Sequence, residues 1–282
     1  MADMRDDLEK ALLPEAGDRI DPVELARRDQ KKALPKRFYK EASTEQDGDV
    51  FALVLDGRRA RTPARNIVAT PSQELSRLLA AEWNAQGEYI DPADMPLTRL
   101  VNSALDSVTR ELAATAAEVV KYAGSDLLCY RAADPEALVR EQIERWNPVL
   151  AWARETIGAR FNLAEGVMFV DQPPGTLDAF AKATDKVIGN DAAAPLRAAA
   201  MNVVTTLTGS AILALAIAHD RLSAQDAWSI AHLDEDFQIR AWGHDAEAEA
   251  RRARRWLEME AACSVLAHLR KAKCQDFQGG NE

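Results

Sequence analysis

The sequence is sparing in the residues that most enzyme chemistry needs. Its 282 residues include 3 cysteines and 4 histidines, and aromatic residues make up only 6%. Cys129, Cys263 and Cys274 show neither CxxC nor zinc-type spacing, and an odd count argues against a full disulfide framework, so a reducing compartment is expected. There is no G-x-S-x-G elbow, Walker A loop or G-x-G-x-x-G turn, which removes the motif support for a serine hydrolase and for nucleotide binding. Gly279-Gly280 stands in the C-terminal tail with no strand before it or helix after it. One apolar stretch, Ala198 to Ala218, is long enough to weigh as a membrane span. Asn202 and four hydroxyl residues up to Ser210 dilute it, and much of the rest is alanine, so a closely packed core helix is the expected state. Between Met1 and Ile20 stand six acidic residues, unlike a mitochondrial presequence or a secretory signal. In a bacterium the chain is expected in the cytoplasm.

What the chain does have is a core and a charge. Hydrophobic residues make up 47% and charged residues 28%, ordinary globular proportions, while the formal net charge is -10. An acidic surface repels phosphate backbones and anionic membrane faces, so the expected partner is neither nucleic acid nor membrane. It suits solubility, or a partner with a basic surface.

Three stretches differ in character. Residues 1–34 mix both charges around Leu8, Leu12 and Leu13 and read as an N-terminal arm. Residues 35–110 carry strand signals. Phe38 and Tyr39 begin one, Val50 to Leu55 is a β-favouring run, and Asp56-Gly57 is the dipeptide of a two-residue hairpin turn. Arg58 to Arg61 is the returning strand and Ile67 to Ala69 a third. A helix is expected from Thr70-Pro71, with Thr70 as N-cap and Leu75, Leu78, Leu79 and Trp83 on its apolar face. Residues 111–282 read as helical throughout. Asp134-Pro135 opens one helix, and Asn147-Pro148 looks like the cap of a second. Further helices are expected near 176–189 and 194–219, over Ala224 to Trp242 after a Ser223 cap, and from Asp245 to Lys271. The fold class is α+β: a small β-rich N-terminal domain followed by an all-α orthogonal bundle.

Few residues could carry chemistry. His232, Glu235 and His244 could seed a metal site, since i and i+3 share a helix face, but the paired Glu-x-x-His arrangement of di-iron bundles is absent. Asp234, Glu235 and Asp236 are adjacent and so leave a helix in three directions; at most one or two can face a shared site, and a solvated face is the default reading of the pattern. Leu233, Phe237 and Ile239 are expected to face the core. The tryptophans at 83, 146, 152, 228, 242 and 256 sit mostly at helical spacing among apolar residues, which suits packing, with one or two free for protein recognition. Arg251, Arg252, Arg254 and Arg255 lie among acids and suit a salt-bridged face.

A series of short motifs carries more. They are Lys36 to Lys40, Leu55 to Arg58 with Thr62-Pro63, Ala81 to Gln86, Met95 to Leu100, Asp126 to Arg131, Trp146 to Trp152, and Leu233 to Gln238 with Trp242-Gly243. In number, order and spacing the chain resembles the assembly chaperones that bind the alpha subunit of the F₁ head of ATP synthase, called assembly factor 2 in mitochondria. The resemblance runs from about Lys36 to Leu269 and implies a protein that holds its client without turnover, with no cofactor and no catalytic residue. It implies client binding by Glu235, with Asp234, Asp236 and Trp242 beside it. Structural roles fall to Trp83, Phe38, Leu55, Gly57, Trp146 and Phe237. A soluble metal-dependent enzyme using His232, Glu235 and His244, and a scaffold for another client, are the alternatives.

Overall fold

The computed structural model describes residues 34–166 and 168–278. The N-terminal arm expected over 1–34 lies, apart from Leu34, outside the described residues. The chain divides into two compact units: a small one whose described residues are 34–38 and 86–91, and a large one of 39–85 and the residues from 92 on. In the small unit Lys36 bridges Tyr89, the Ile90 amide donates to the Pro35 carbonyl at 2.9 Å, and Lys36 and Glu88 pair at 3.4 Å. Phe38 is 72% exposed, which corrects the structural role expected of it. Among the described residues the segment makes a single bridge and no strand.

The large unit contains both the sheet and the helices. Strands β1 (Ala42–Asp47), β2 (Val50–Leu55), β3 (Arg58–Arg59) and β4 (Ala69–Thr70) form one antiparallel sheet. β2 is its centre, pairing β1 along one edge and both β3 and β4 along the other. The first strand thus begins at Ala42, three residues after the expected Tyr39. In the β2–β3 turn Asp56 has φ 46° and Gly57 φ 79°, the double positive φ that a two-residue turn of this hand requires. The Asp56 carboxylate also accepts the amides of Lys40 and Glu41, closing the sheet corner. Ala52, Leu53, Val54 and Leu55 are all buried, so β2 is covered on both faces.

Helix α1 (Gln73–Asn84) is capped by Ser72, whose Oγ accepts the Leu75 amide at 3.4 Å. Thr70, expected as the cap, is instead fully buried in β4 opposite Phe51, and its hydroxyl donates to the Ser72 carbonyl. Sheet pairing claims Thr70 before the helix can. Helices α2 (Pro96–Ser103) and α3 (Leu112–Ala123) follow, then a two-strand parallel pair, β5 (Tyr130–Arg131) with β6 (Ala164–Glu165). Between those strands runs α4 (Glu136–Trp152), a single helix with Pro148 inside it. The expected break at Asn147-Pro148 does not occur. Trp146 is fully buried and donates Nε1–H to the Ile230 carbonyl at 3.0 Å, and this anchor holds the helix together past the missing proline donor.

After α5 (Pro174–Ile188) the apolar stretch 198–218 resolves into two helices, α6 (Ala194–Thr208) and α7 (Ala211–Ala218). Gly209, at φ 67°, ends the first, and Ser210 caps the second by accepting the Leu213 amide. Every residue of α7 is buried. Among the described residues no helix is long and apolar enough to cross a membrane. The segment expected as one helix from Ala224 likewise divides at His232 into α8 (Ala224–Ala231) and α9 (Leu233–Trp242); α10 (Ala246–Gln278) ends the described chain.

Candidate functional site

Several of the singled-out motifs become the support for α9. Asp126 is fully buried, and its carboxylate accepts the amides of Leu128 and Ile212, each at 3.0 Å, together with the Ser210 side chain. Burial pushes its pKa up to about 6, against these hydrogen bonds, which favour the charged form. One carboxylate thereby ties the Asp126–Arg131 segment to the N-terminus of the buried helix α7. From the same segment Arg131 donates to the carbonyls of Leu128 and Gln142 and to Asn147 Oδ1, and its guanidinium lies 5.1 Å from the Trp146 ring. Gln142, itself buried, accepts the Ala132 amide and donates Nε2–H to Asp234 at 2.8 Å. Buried polar groups that are this fully paired orient one another closely. The chain of contacts ends on the first turn of α9.

The three adjacent acids then separate as helical geometry requires. Asp234 turns toward α4 and Gln142; Asp236 turns toward α10 and pairs with Arg252. Glu235 is exposed and makes no hydrogen bond or ion pair with a described residue. It lines a cleft of about 700 Å³ between α9 and α10, together with Ile239, Trp242 and Arg252. Trp242 is 89% exposed. Of the expected client-binding residues, Glu235 and Trp242 therefore face solvent, while Asp234 and Asp236 are engaged within the chain. Leu233 is buried as expected, but Phe237 and Ile239 are only half-buried, a correction to the core role given them. Phe237 lies under the Arg240 guanidinium at 5.4 Å, and Arg240 in turn pairs with Glu141 of α4. Helix α9 rests on its neighbours through polar links, so its aliphatic residues are left partly open.

His232 sits where α8 meets α9. It is buried, its Nδ1–H donates to the Trp228 carbonyl at 2.8 Å, and its ring lies 3.9 Å from that of Trp228, which meets Trp256 edge-on at 5.5 Å. Burial pushes its pKa below the ordinary histidine value. His244 lies beyond the C-terminal end of α9 and pairs with Glu249. One ring nitrogen of each histidine is thus committed, and among the described residues no group of three or more His, Cys, Asp and Glu is placed to hold a metal ion. The arginines of α10 are spoken for in part: Arg251 pairs with Glu247, Arg252 with Asp236, and Arg255 donates to the Leu207 carbonyl.

A second acid–tryptophan pair lies beside the sheet. Glu82 accepts the amides of Leu97 and Thr98 and the Thr98 hydroxyl, at 2.9, 2.8 and 2.6 Å. It therefore caps α2, whose own N-cap, Met95, has no side-chain acceptor. Trp83 donates Nε1–H to Thr98 Oγ1 at 3.0 Å and packs against Tyr39, whose hydroxyl donates to the Trp83 carbonyl. Sequence reasoning saw the tryptophan and missed the cap, although the signal was there: an acid one residue before Trp83, and a helix start with no capping side chain of its own.

Residues 36–154 match the model of the ATP12 chaperone protein family. Mitochondrial atp12 of Schizosaccharomyces pombe is 23% identical over 220 residues, covering 74% of each chain. The crystal structure of the Agrobacterium tumefaciens protein Atu1473 is 44% identical, with a TM-score of 0.79 over 94% of this chain and 95% of that one. The crystal structure of Paracoccus denitrificans Atp12 is 38% identical, with a TM-score of 0.74 over 82% of this chain and 97% of its own. A sheet centred on β2, a helical region built around α7 and likeness of this extent agree: the chain belongs to the ATP12 chaperone family.

Proposed function

We propose that this chain is an ATP synthase assembly chaperone whose client is the alpha subunit of the F₁ head. It holds the newly made subunit, covers surface later buried against its neighbour, and lets go as that neighbour binds. Such surface is apolar and prone to aggregate while exposed. Release by competition needs no nucleotide, no cofactor and no catalytic residue. The observation that carries the reading is Glu235: an exposed carboxylate with no hydrogen-bond or ion-pair partner among the described residues, in a cleft beside a tryptophan that is 89% exposed. Glu235 and Trp242 touch the client, while Asp234 and Asp236 hold α9 in place for them. The working compartment is the bacterial cytoplasm or its mitochondrial equivalent, and the net charge of -10 sets nucleic acid and anionic membranes aside as partners. The test is co-expression with the alpha subunit, measuring how much of it stays soluble. Added chain should raise the soluble fraction and Glu235→Lys should abolish the gain; equal solubility with and without the chain would overturn the assignment.

A further inference from the structure

Glu235, Ile239 and Trp242 stand at positions i, i+4 and i+7 of α9, and all three line the cleft. That spacing puts them on one helical stripe about 10 Å long, with the carboxylate at one end and the indole at the other. The remaining acids nearby are already satisfied. Asp236 pairs with Arg252, Glu249 with His244 and Glu247 with Arg251; Asp245 accepts the amides of Glu247 and Ala248, and Asp234 accepts Gln142 Nε2–H. The cleft's arginines are engaged as well, Arg251 with Glu247, Arg252 with Asp236 and Arg255 with the Leu207 carbonyl. The groove therefore offers one carboxylate with no hydrogen bond or ion pair among the described residues, although Arg252 and His232 feel its charge, followed by an aliphatic and an aromatic contact.

Resting on the chaperone reading above, we infer that this groove takes an amphipathic segment presenting a cationic side chain to Glu235 and, about 10 Å further along, an apolar side chain to Ile239 and Trp242. On a helical partner these two groups would be seven residues apart, two turns of one face. Charge complementarity selects the segment: a cation gains a charge-assisted hydrogen bond at Glu235, whereas an anionic segment would be repelled by it and by the net charge of -10. Apolarity is needed as well, because a purely basic segment would leave Trp242 in water, and a tryptophan covered at the centre of a contact contributes strongly.

The experiment uses the full chain and three fluorescein-labelled synthetic peptides of about 18 residues, five helical turns: one amphipathic with lysine and leucine, one with glutamate and leucine, one with lysine and serine. Binding is read by fluorescence anisotropy. The lysine–leucine peptide should bind, and the other two should bind at least about tenfold more weakly. Glu235→Gln and Trp242→Ala should each weaken the first peptide about tenfold. Glu118→Gln, which removes the same charge from an exposed position of α3 where Glu118 pairs with Lys121, should change binding by less than about twofold. Glu235 and Trp242 are exposed, so both variants should melt with the parent. Losses of less than about threefold in both groove variants, or an equal loss in Glu118→Gln, would overturn the inference in favour of general attraction to an acidic protein. If the peptide pattern holds while the alpha subunit gains no solubility, the groove chemistry stands and the client is another; if the alpha subunit is protected and the pattern fails, the groove chemistry falls.

Discussion

The chain carries two acid–tryptophan pairs that meet opposite ends. At Glu82 and Trp83 every polar group is used: the carboxylate takes three hydrogen bonds from the start of α2, and the indole donates to Thr98. At Glu235 and Trp242 neither side chain makes a hydrogen bond or ion pair with a described residue, although Asp234 and Asp236 on both sides of Glu235 do. The same residue types therefore build a joint in one place and a surface in the other. What separates them is whether a neighbouring element ends nearby with unpaired amides. The first turn of α2 lacks a cap of its own and takes the acid; at the start of α10, Asp245 already accepts the amides of Glu247 and Ala248.

Substitutions should separate the two pairs by size of effect. Trp83→Arg is expected to cost about 3 kcal/mol in a denaturant melt, since it places a charge against Tyr39 and strips Thr98 of a donor. A variant as stable as the parent would mean that Trp83 is not part of the joint.

A third acid, Asp126, tests burial without any tryptophan. Its folded pKa, about 6, lies above its ordinary value of 3.8, so the folded protein binds this proton more tightly than the unfolded chain. The stability linked to it is fully present below pH 3.8 and is lost as pH rises through about 6. The stability difference between the parent and Asp126→Asn should therefore fall by about 2 kcal/mol from pH 4 to pH 7. A difference that grows with pH would show that the amides of Leu128 and Ile212 outweigh burial.

Smaller again is Glu82→Ala, which leaves the α2 amides of Leu97 and Thr98 uncapped. About 1–2 kcal/mol should be lost, and Glu82→Gln, which keeps an acceptor, should recover part of it. Smallest in stability is Glu235→Lys, within about 0.5 kcal/mol of the parent, yet with client protection abolished. An unfolded Glu235→Lys would make α9 a joint as well, and the contrast would collapse.

Much of the fold was legible because its signals are local. The Asp56-Gly57 turn, the β2 run, the Ser223 cap and the succession of helices beyond residue 111 each depend on a few neighbouring side chains. Two of the misses share one cause, a distant partner that outbids a local preference. Thr70 was taken by β4 rather than the helix, and Pro148 was carried inside α4 by the Trp146 anchor to Ile230. Phe38 read as a packing aromatic, but it is exposed, and among the described residues the backbone around it makes one bridge and no strand. At the candidate site, adjacency alone foretold that Asp234, Glu235 and Asp236 would diverge. Which of them would stay unpaired depended on Gln142 and Arg252, 92 and 16 residues away in the chain.

The sequence by itself thus determined the α+β class, the hairpin, most of the helices and the motif series that places the chain in its family, because propensity, turn chemistry and periodicity act over a few residues. Only the tertiary structure decided which glutamate became a helix cap and which was left open to a partner. A carboxylate's role depends on whether unpaired donors come within hydrogen-bond reach, and that is settled by elements far apart in sequence.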